Sequence, residues 1–221
     1  MRCVVTAGPT YEPLDDVRRL TNMSTGRLGS ELAGFLTGCG HEVTLLLGEQ
    51  ATWAGERRAQ VVARFTTTGD LRERLRALAR QPVGAVFHAA AVSDFAFGKI
   101  WRRLPEGELK EVRSGKLSTR EGALLAELTP TPKLITELRG WYPRTLLVGW
   151  KYEVEGDRAL VIQSAQKQIA ECRTDACAAN GPAYGAGFGL VTSGGGCEHM
   201  AERAALFEAL ERLLRRTGAS G

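Results

Sequence analysis

Two short stretches of this 221-residue chain hold residue types at spacings suited to chemistry on anions. Ser24-Thr25-Gly26-Arg27-Leu28-Gly29 runs straight into an apolar pattern of helical period. Two hydroxyls, a guanidinium and the unpaired N–H groups of a helix start therefore meet at one spot, which favours negative charge. An ordinary helix cap, with glycines for close packing on a sheet, would use the same residues. The stretch is neither a GxGxxG dinucleotide loop nor a P-loop, since no Walker lysine follows. The second stretch, His88-Ala89-Ala90-Ala91-Val92-Ser93-Asp94-Phe95, closes an apolar run read as a central strand. Open α/β sheets take their ligands outside the carboxyl ends of their strands. The alanines let a base approach the backbone, and Asp94 falls where a ribose or a metal would lie. An aspartate that only caps a turn is the competing reading.

The elements that must position these residues alternate apolar runs with helical patterns, the mark of a mostly parallel sheet covered on both faces. Strands are expected at residues 2–7, 43–47, 84–91, 145–150, 175–179 and 188–193. Leu28, Leu32, Phe35 and Leu36 mark a first helix that stops at Gly38 and Gly40, and Leu71, Leu75 and Leu78 mark a second after Thr67. Thr131-Pro132 is expected to cap and open a third, with Leu134 and Leu138 on one face. Two more are expected at 157–171 and 200–215, the last with a clean apolar stripe. The entry to the first helix is unusually long: residues 8–29 contain two prolines and an acidic cluster. A second irregular stretch, from Phe95 to about Leu128, is polar and basic, and is expected to be a flap, a hairpin used in assembly, or partly disordered.

A chain 43% hydrophobic supports a substantial core and is expected to form one domain over residues 1–221. Its net charge of +4 is mild and dispersed, which argues for anionic small molecules at least as well as for nucleic acid, and no nucleic-acid partner is expected. No run approaches the ~18 apolar residues of a membrane span, and the first residues do not read as a signal peptide, so a cytoplasmic protein is expected. Cys3, Cys39, Cys172, Cys177 and Cys197 form no CxxC pair, and only three histidines occur. Reduced structural thiols are expected, and a His/Cys metal site has little support.

Taken in order, "TAGPTYEPLDDVRRLTNMSTGRLG", "AAAVSDF", "SGKLSTREGALLAELTPTPKLI", "LVGWKYE" and "AQKQIAECRTDACAAN" resemble the phosphopantothenoylcysteine synthetase family, ligases of coenzyme A biosynthesis. The resemblance spans nearly the whole chain and is to a stand-alone form. It implies a three-layer, Rossmann-like α/β fold with a long flap or dimerisation arm. It also implies a two-step reaction: 4′-phosphopantothenate is activated by a nucleoside triphosphate, CTP or ATP, and the acyl-nucleotide is then captured by L-cysteine. By motif position, Asn22 would bond the acyl intermediate; Ser24, Gly26 and Arg27 would receive the substrate phosphate; and Gly8, Thr10, Ala90, Asp94, Trp150 and Lys167 would lie at the nucleotide. Lys116 is the favoured flap lysine and Lys99 its competitor, while Asn180 closes the "Ala-Asn" motif. Mg²⁺ is expected to arrive with the nucleotide, with Asp94 as its nearest protein neighbour. Family members pair as homodimers, and the 95–128 arm is the expected contact.

Three departures from the family pattern bear on these expectations. Trp150 stands where a phenylalanine is usual, Lys151-Tyr152 where bacterial members read Ala-Ala, and Glu171-Cys172 where many carry a second lysine. "AVSDF" and "WKYE" lean toward the eukaryotic, ATP-using type and leave the choice between CTP and ATP open. The competing functions are a Rossmann-like oxidoreductase or flavin module, which the missing glycine pattern disfavours, and a non-catalytic member of the same fold.

Overall fold

The computed structural model describes residues 1–118, 120 and 122–218. Its central sheet has eight strands in the order β13-β12-β11-β10-β6-β1-β4-β5. The strands are β1 (Arg2–Ala7), β4 (Glu42–Gly48), β5 (Val61–Phe65), β6 (Ala85–His88), β10 (Leu146–Tyr152), β11 (Ala176–Asn180), β12 (Phe188–Thr192) and β13 (Cys197–Met200). The six from β5 to β11 run parallel, and β12 and β13 add an antiparallel edge. Connections leave β1 toward β4 on one side, while β6 lies on the other side. The C-terminal ends of β1 and β6 therefore form the switch point at which such sheets open a crevice.

Helices cover both faces, as the run of apolar residues in the inner strands requires. On one face, α1 (Arg27–Gly38) and α5 (Arg203–Gly218) close a core through Leu32, Leu36, Leu206 and Leu210 against Val5, Leu45 and Phe87. On the other face, α2 (Thr68–Leu78) and α3 (Leu134–Trp141) pack Leu71, Leu75, Leu134 and Leu138 on Val4, Leu46 and Val86. Alongside them α4 (Arg158–Cys172) sets Val161, Ala165 and Ile169 on Cys177 and Ala179. Successive residues of one strand thus serve opposite layers, which fixes the register of every side chain at the strand ends.

Three local features depart from expectation. The third strand ends at His88 rather than 91, because Ala90 N–H turns back to the Thr6 hydroxyl and Ala91 exchanges hydrogen bonds with Gly8 and Thr10. Thr131 does not cap α3: its hydroxyl donates to the Ser93 carbonyl, Pro132 stays outside, and the helix starts after Lys133. Val61–Phe65 is a parallel edge strand that its half-exposed pattern concealed. Of the forms expected for the 95–128 stretch, its described residues take that of an antiparallel hairpin. It is an antiparallel sheet of β7 (Phe95–Arg103), β8 (Leu109–Glu111) and β9 (Leu124–Pro130), with β7 central; Thr119 and Glu121 of that stretch lie outside the described residues.

The delayed helix entry is structured as well. Residues 8–10 extend the β1–β6 pairing to Ala91, after which β2 (Tyr11–Pro13) and β3 (Arg19–Thr21) form a hairpin. Buried Glu12 accepts from Thr68 N–H at the start of α2, and Thr21 donates to the Thr10 carbonyl. The chain then returns to α1 through residues 22–26.

Candidate functional site

Two cavities flank the switch point, one on each face of the sheet. The smaller, about 260 Å³, is lined by Ser24, Thr25, Gly26, Arg27, Leu28, Gly29, Ala89 and Arg203. Gly26, the residue preceding α1, has φ 75°, and a Cβ there would stand 2.9 Å from that of Ala51. Only glycine holds that backbone without strain. Gly29 is needed for a different reason: its added Cβ would approach Ala7 Cβ to 2.7 Å, so the helix could not lie this close to β1. These glycines bring the first turn of α1 against the sheet edge with its N–H groups facing the cavity mouth.

Charge in the same place comes from two arginines held by one carboxylate. Glu31 takes Arg27 Nε at 2.7 Å and also pairs with Arg203 at the start of α5. Burial pushes the Glu31 carboxyl upward, and the hydrogen bonds from Arg27 and Arg203 more than offset it, leaving it below its ordinary value. Ser24, Gly26 and Arg27, all expected from the sequence, are therefore brought together. Arg203 was not anticipated, because nothing in its local sequence reports that α5 begins beside α1.

The larger cavity, about 480 Å³, opens on the other face, above the ends of β6 and β10 and between α3 and α4. Ala90, Asp94, Trp150 and Lys167 all line it. Lys133 and Lys151 join Lys167, so three ammonium groups surround one space. Lys167 sits 3.8 Å from Glu171, and Lys151 3.1 Å from Glu153. Lys133 and Lys151 escaped the sequence reading; the signal was present in "TPTPKLI" and in the departure at Lys151-Tyr152, but which face of β10 carries a charge needs the register. That register also sets how Trp150 packs. Its ring lies with Leu146 and Val148 against the α1/α5 core, while Gly149 faces Gln168 and Ile135. Trp150 lines the cavity and also packs on that opposite core, with its indole Nε1 buried without a partner.

Gly8 and Thr10 are not among the lining residues of either cavity. Gly8, at φ 78°, is a spacer: the Cβ that Gly26 lacks would lie 3.3 Å from Gly8 Cα. Thr10 is fully buried and its hydroxyl is engaged, accepting from Ser93 N–H at 2.8 Å and meeting Thr68 Oγ1 at 3.3 Å. Both fix the walls and touch no open space. Asn22 stands between the cavities, exposed, with Nδ2 donating to the Ala91 carbonyl at 3.1 Å. Asn180 lies outside both cavities; its Oδ1 is buried without a partner.

Neither candidate arm lysine reaches these cavities. Lys99, on β7, is 3.8 Å from Glu111 across the arm sheet. Lys116 sits in the exposed loop before β9, and that loop is docked on the β2–β3 hairpin. Asp15, at the hairpin tip, accepts from Leu117 N–H at 3.1 Å and Arg18 Nε at 3.0 Å, and Arg18 Nη2 donates to the Leu117 carbonyl at 2.7 Å. The Arg18 guanidinium, then backbone N–H groups including that of Leu117, hold the Asp15 carboxyl far below the usual carboxylate range. The arm is thus tied to the delayed helix entry at its tip.

No group of three or more His, Cys, Asp or Glu side chains arranged to hold a metal occurs among the described residues. All five cysteines are free, and burial pushes the Cys177 thiol up to about 12 and that of Cys3 up to about 11. No helix among the described residues is long and apolar enough to cross a membrane.

Comparison with known proteins gives this geometry a setting. Residues 1–195 match the model of the DNA/pantothenate metabolism flavoprotein C-terminal domain. The Thermococcus kodakarensis coenzyme A biosynthesis bifunctional protein CoaBC is 32% identical over 183 residues, which is 81% of this chain and 41% of that protein. The chain therefore spans about two fifths of that relative's length. Among solved structures, the DNA/pantothenate metabolism flavoprotein from Streptococcus pneumoniae superposes with TM-score 0.83 at 24% identity, covering 98% of this chain and 99% of its own. A Cab2 H337A variant in complex with phosphopantothenate-cysteine superposes with TM-score 0.74 at 17% identity, covering 99% and 88%.

Proposed function

We propose, since the chain belongs to the DNA/pantothenate metabolism flavoprotein C-terminal domain family, that it is a ligase joining 4′-phosphopantothenate to L-cysteine through an acyl-nucleotide. The observation that carries this reading is the pair of cavities meeting at one strand exit. Ala89 lines the arginine-bearing pocket and Ala90 the lysine-ringed one. A phosphorylated acid seated at α1 and a triphosphate seated between α3 and α4 would direct their reactive ends at the same turn.

In the first step a carboxylate oxygen of phosphopantothenate attacks the α-phosphorus and the bond to pyrophosphate breaks. In the second, the cysteine amine attacks the acyl carbon, loses a proton and expels the nucleotide monophosphate. The α1 N–H groups and Arg27 would bind the terminal phosphate of the acid. Lys133, Lys151 and Lys167 would offset charge on the polyphosphate. Asn22, already anchored on Ala91, would orient the acyl group with a neutral amide that does not repel phosphates. Lys116 would arrive on the arm to stabilise the pentacoordinate α-phosphate, and arm closure would keep water from the anhydride.

The site suits a magnesium ion brought by the nucleotide: exposed Asp94 lines the larger cavity, and among the described residues no cage of protein ligands competes for the ion. Asp94 would hold it, and the ion would neutralise phosphate charge. Whether the nucleotide is CTP or ATP is the finer part of the proposal; the charged lining serves either. Pairing of two copies through the β7–β9 arm, which exposes Phe95 and Leu128, belongs to the same reading.

Pyrophosphate release, measured with CTP and ATP separately, tests it. Release is expected with one nucleotide and phosphopantothenate alone, and an amide product only when cysteine is added. No release with either nucleotide at saturating phosphopantothenate overturns the assignment.

A further inference from the structure

The floor of the larger cavity carries a titratable side chain with no part in the reading above. His88, the last residue of β6, is only 6% exposed, yet lines that cavity. It faces the α2/α3 layer, as Val86 two residues earlier does. Its Nδ1 is 3.0 Å from the Thr6 hydroxyl, which is itself fully buried. Thr6 Oγ1 already accepts from Ala90 N–H at 3.1 Å. A buried hydroxyl must place its own proton, and His88 Nδ1 is the acceptor beside it. This bookkeeping favours one tautomer, in which Thr6 donates to Nδ1 and the ring proton is on Nε2. Nε2 is the ring nitrogen not engaged by Thr6, and His88 lines the cavity, so Nε2 is the atom free to meet a ligand there. Burial also pushes the ring's pKa down to about 4, so the imidazole is neutral at physiological pH.

We infer that His88 is a binding residue for the nucleotide, donating its Nε2–H to an uncharged oxygen of the nucleoside, a sugar hydroxyl or a base carbonyl. The inference rests on the larger cavity being the nucleotide site. Its chemistry divides the cavity. The three lysines supply charge for phosphates, whereas His88 lies with Ala90, Val92 and Leu134 and offers a directional donor that carries no charge. The chain Ala90 N–H to Thr6 to His88 also ties the donor's aim to the backbone turn at the strand exit.

The test is a binding titration on the full chain, with CTP and ATP and their 2′-deoxy forms, for the wild type and His88→Leu. For the nucleotide that the wild type binds, His88→Leu is expected to weaken binding about tenfold while the phosphopantothenate KM stays unchanged. If the deoxy form binds wild type and variant alike, the acceptor is the 2′-hydroxyl; if it loses as much as the ribonucleotide does, the acceptor lies elsewhere on the nucleoside, and either result supports the assignment. Equal ribonucleotide binding by wild type and folded variant overturns it, leaving the ligase reading intact; absence of binding by the wild type overturns both. A measurement on unaltered protein covers a variant that fails to fold. With only three histidines in the chain, ¹⁵N spectra resolve the ring of His88. A neutral Nε2–H tautomer whose Nε2 resonance moves on nucleotide addition supports the proposal, and an Nδ1–H tautomer or an unmoved resonance overturns it.

Discussion

The two cavities at the β1/β6 switch point are built on opposite plans. Six of the eight residues lining the smaller one, Ser24 to Gly29, are consecutive, and what they offer is largely backbone: N–H groups aimed by a glycine turn. The larger one is assembled from the β6 exit, the segment entering α3, β10 and α4, and it offers side chains. A backbone site tolerates change in the side chains around it but depends on the glycines that let the helix approach. A side-chain site has the reverse sensitivity, because each ammonium contributes separately. The arm adds a third plan, in which Lys116, the residue proposed to meet the α-phosphate, lies outside both cavities beside the contact of Leu117 with Asp15.

Substitutions can break this contrast. The largest effect is expected for Lys116→Gln, which should reduce pyrophosphate release by about 10²- to 10³-fold with the fold unchanged by circular dichroism. Normal ligation by that variant, with loss in Lys99→Gln, would reverse the assignment of the arm lysine. Gly29→Val should come next. The clash with Ala7 is expected to cost about 3 kcal/mol in urea unfolding and to raise the phosphopantothenate KM, whereas substitutions of Ser24 should be mild. Lys167→Gln should raise the nucleotide KM about tenfold and leave that for phosphopantothenate alone; an equal rise in both would show that the cavities are not separate.

A smaller effect concerns the arm tie. The folded Asp15 carboxyl is depressed, so its contribution is fully present above the ordinary carboxylate value of 3.8 and is lost as the pH falls below it. Protection of the Leu117 amide against hydrogen exchange, relative to its intrinsic rate, should fall over that acid range, and Asp15→Asn should lower that protection at neutral pH as well. Last, Lys99→Gln should leave pyrophosphate release within about twofold of wild type, since removal of an exposed pair such as Lys99–Glu111 has little effect.

Much of the fold was readable. The runs at 2–7, 43–47 and 175–179 are continuous and apolar because their strands are buried on both faces, and that is the pattern a parallel sheet imposes. The strand Val61–Phe65 was missed for the converse reason: at the sheet edge it keeps exposed Val61 and Val62 and lacks a clean alternation. The arm was recognised as irregular, but its pairing of Phe95 with Pro130 and of Trp101 with Leu125 is a contact between residues far apart in the chain. In the sites, Ser24, Gly26 and Arg27 could be read because they are neighbours. Arg203, Lys133 and Lys151 could not, since each comes to its cavity by tertiary placement.

By itself, then, the sequence determined the layered parallel sheet, the glycine-led turn into α1 and the order of motifs that mark the family, because all of these are written in short-range periodicity and in adjacent residues. Only the tertiary structure decided that Trp150 packs on the α1/α5 core, that the Thr10 hydroxyl is held by Ser93, that His88 Nδ1 meets the Thr6 hydroxyl, and that the arm is tied at Asp15. Each of those depends on which face of a strand a residue occupies and on what a distant segment brings against it, and a one-residue change of register would reverse it.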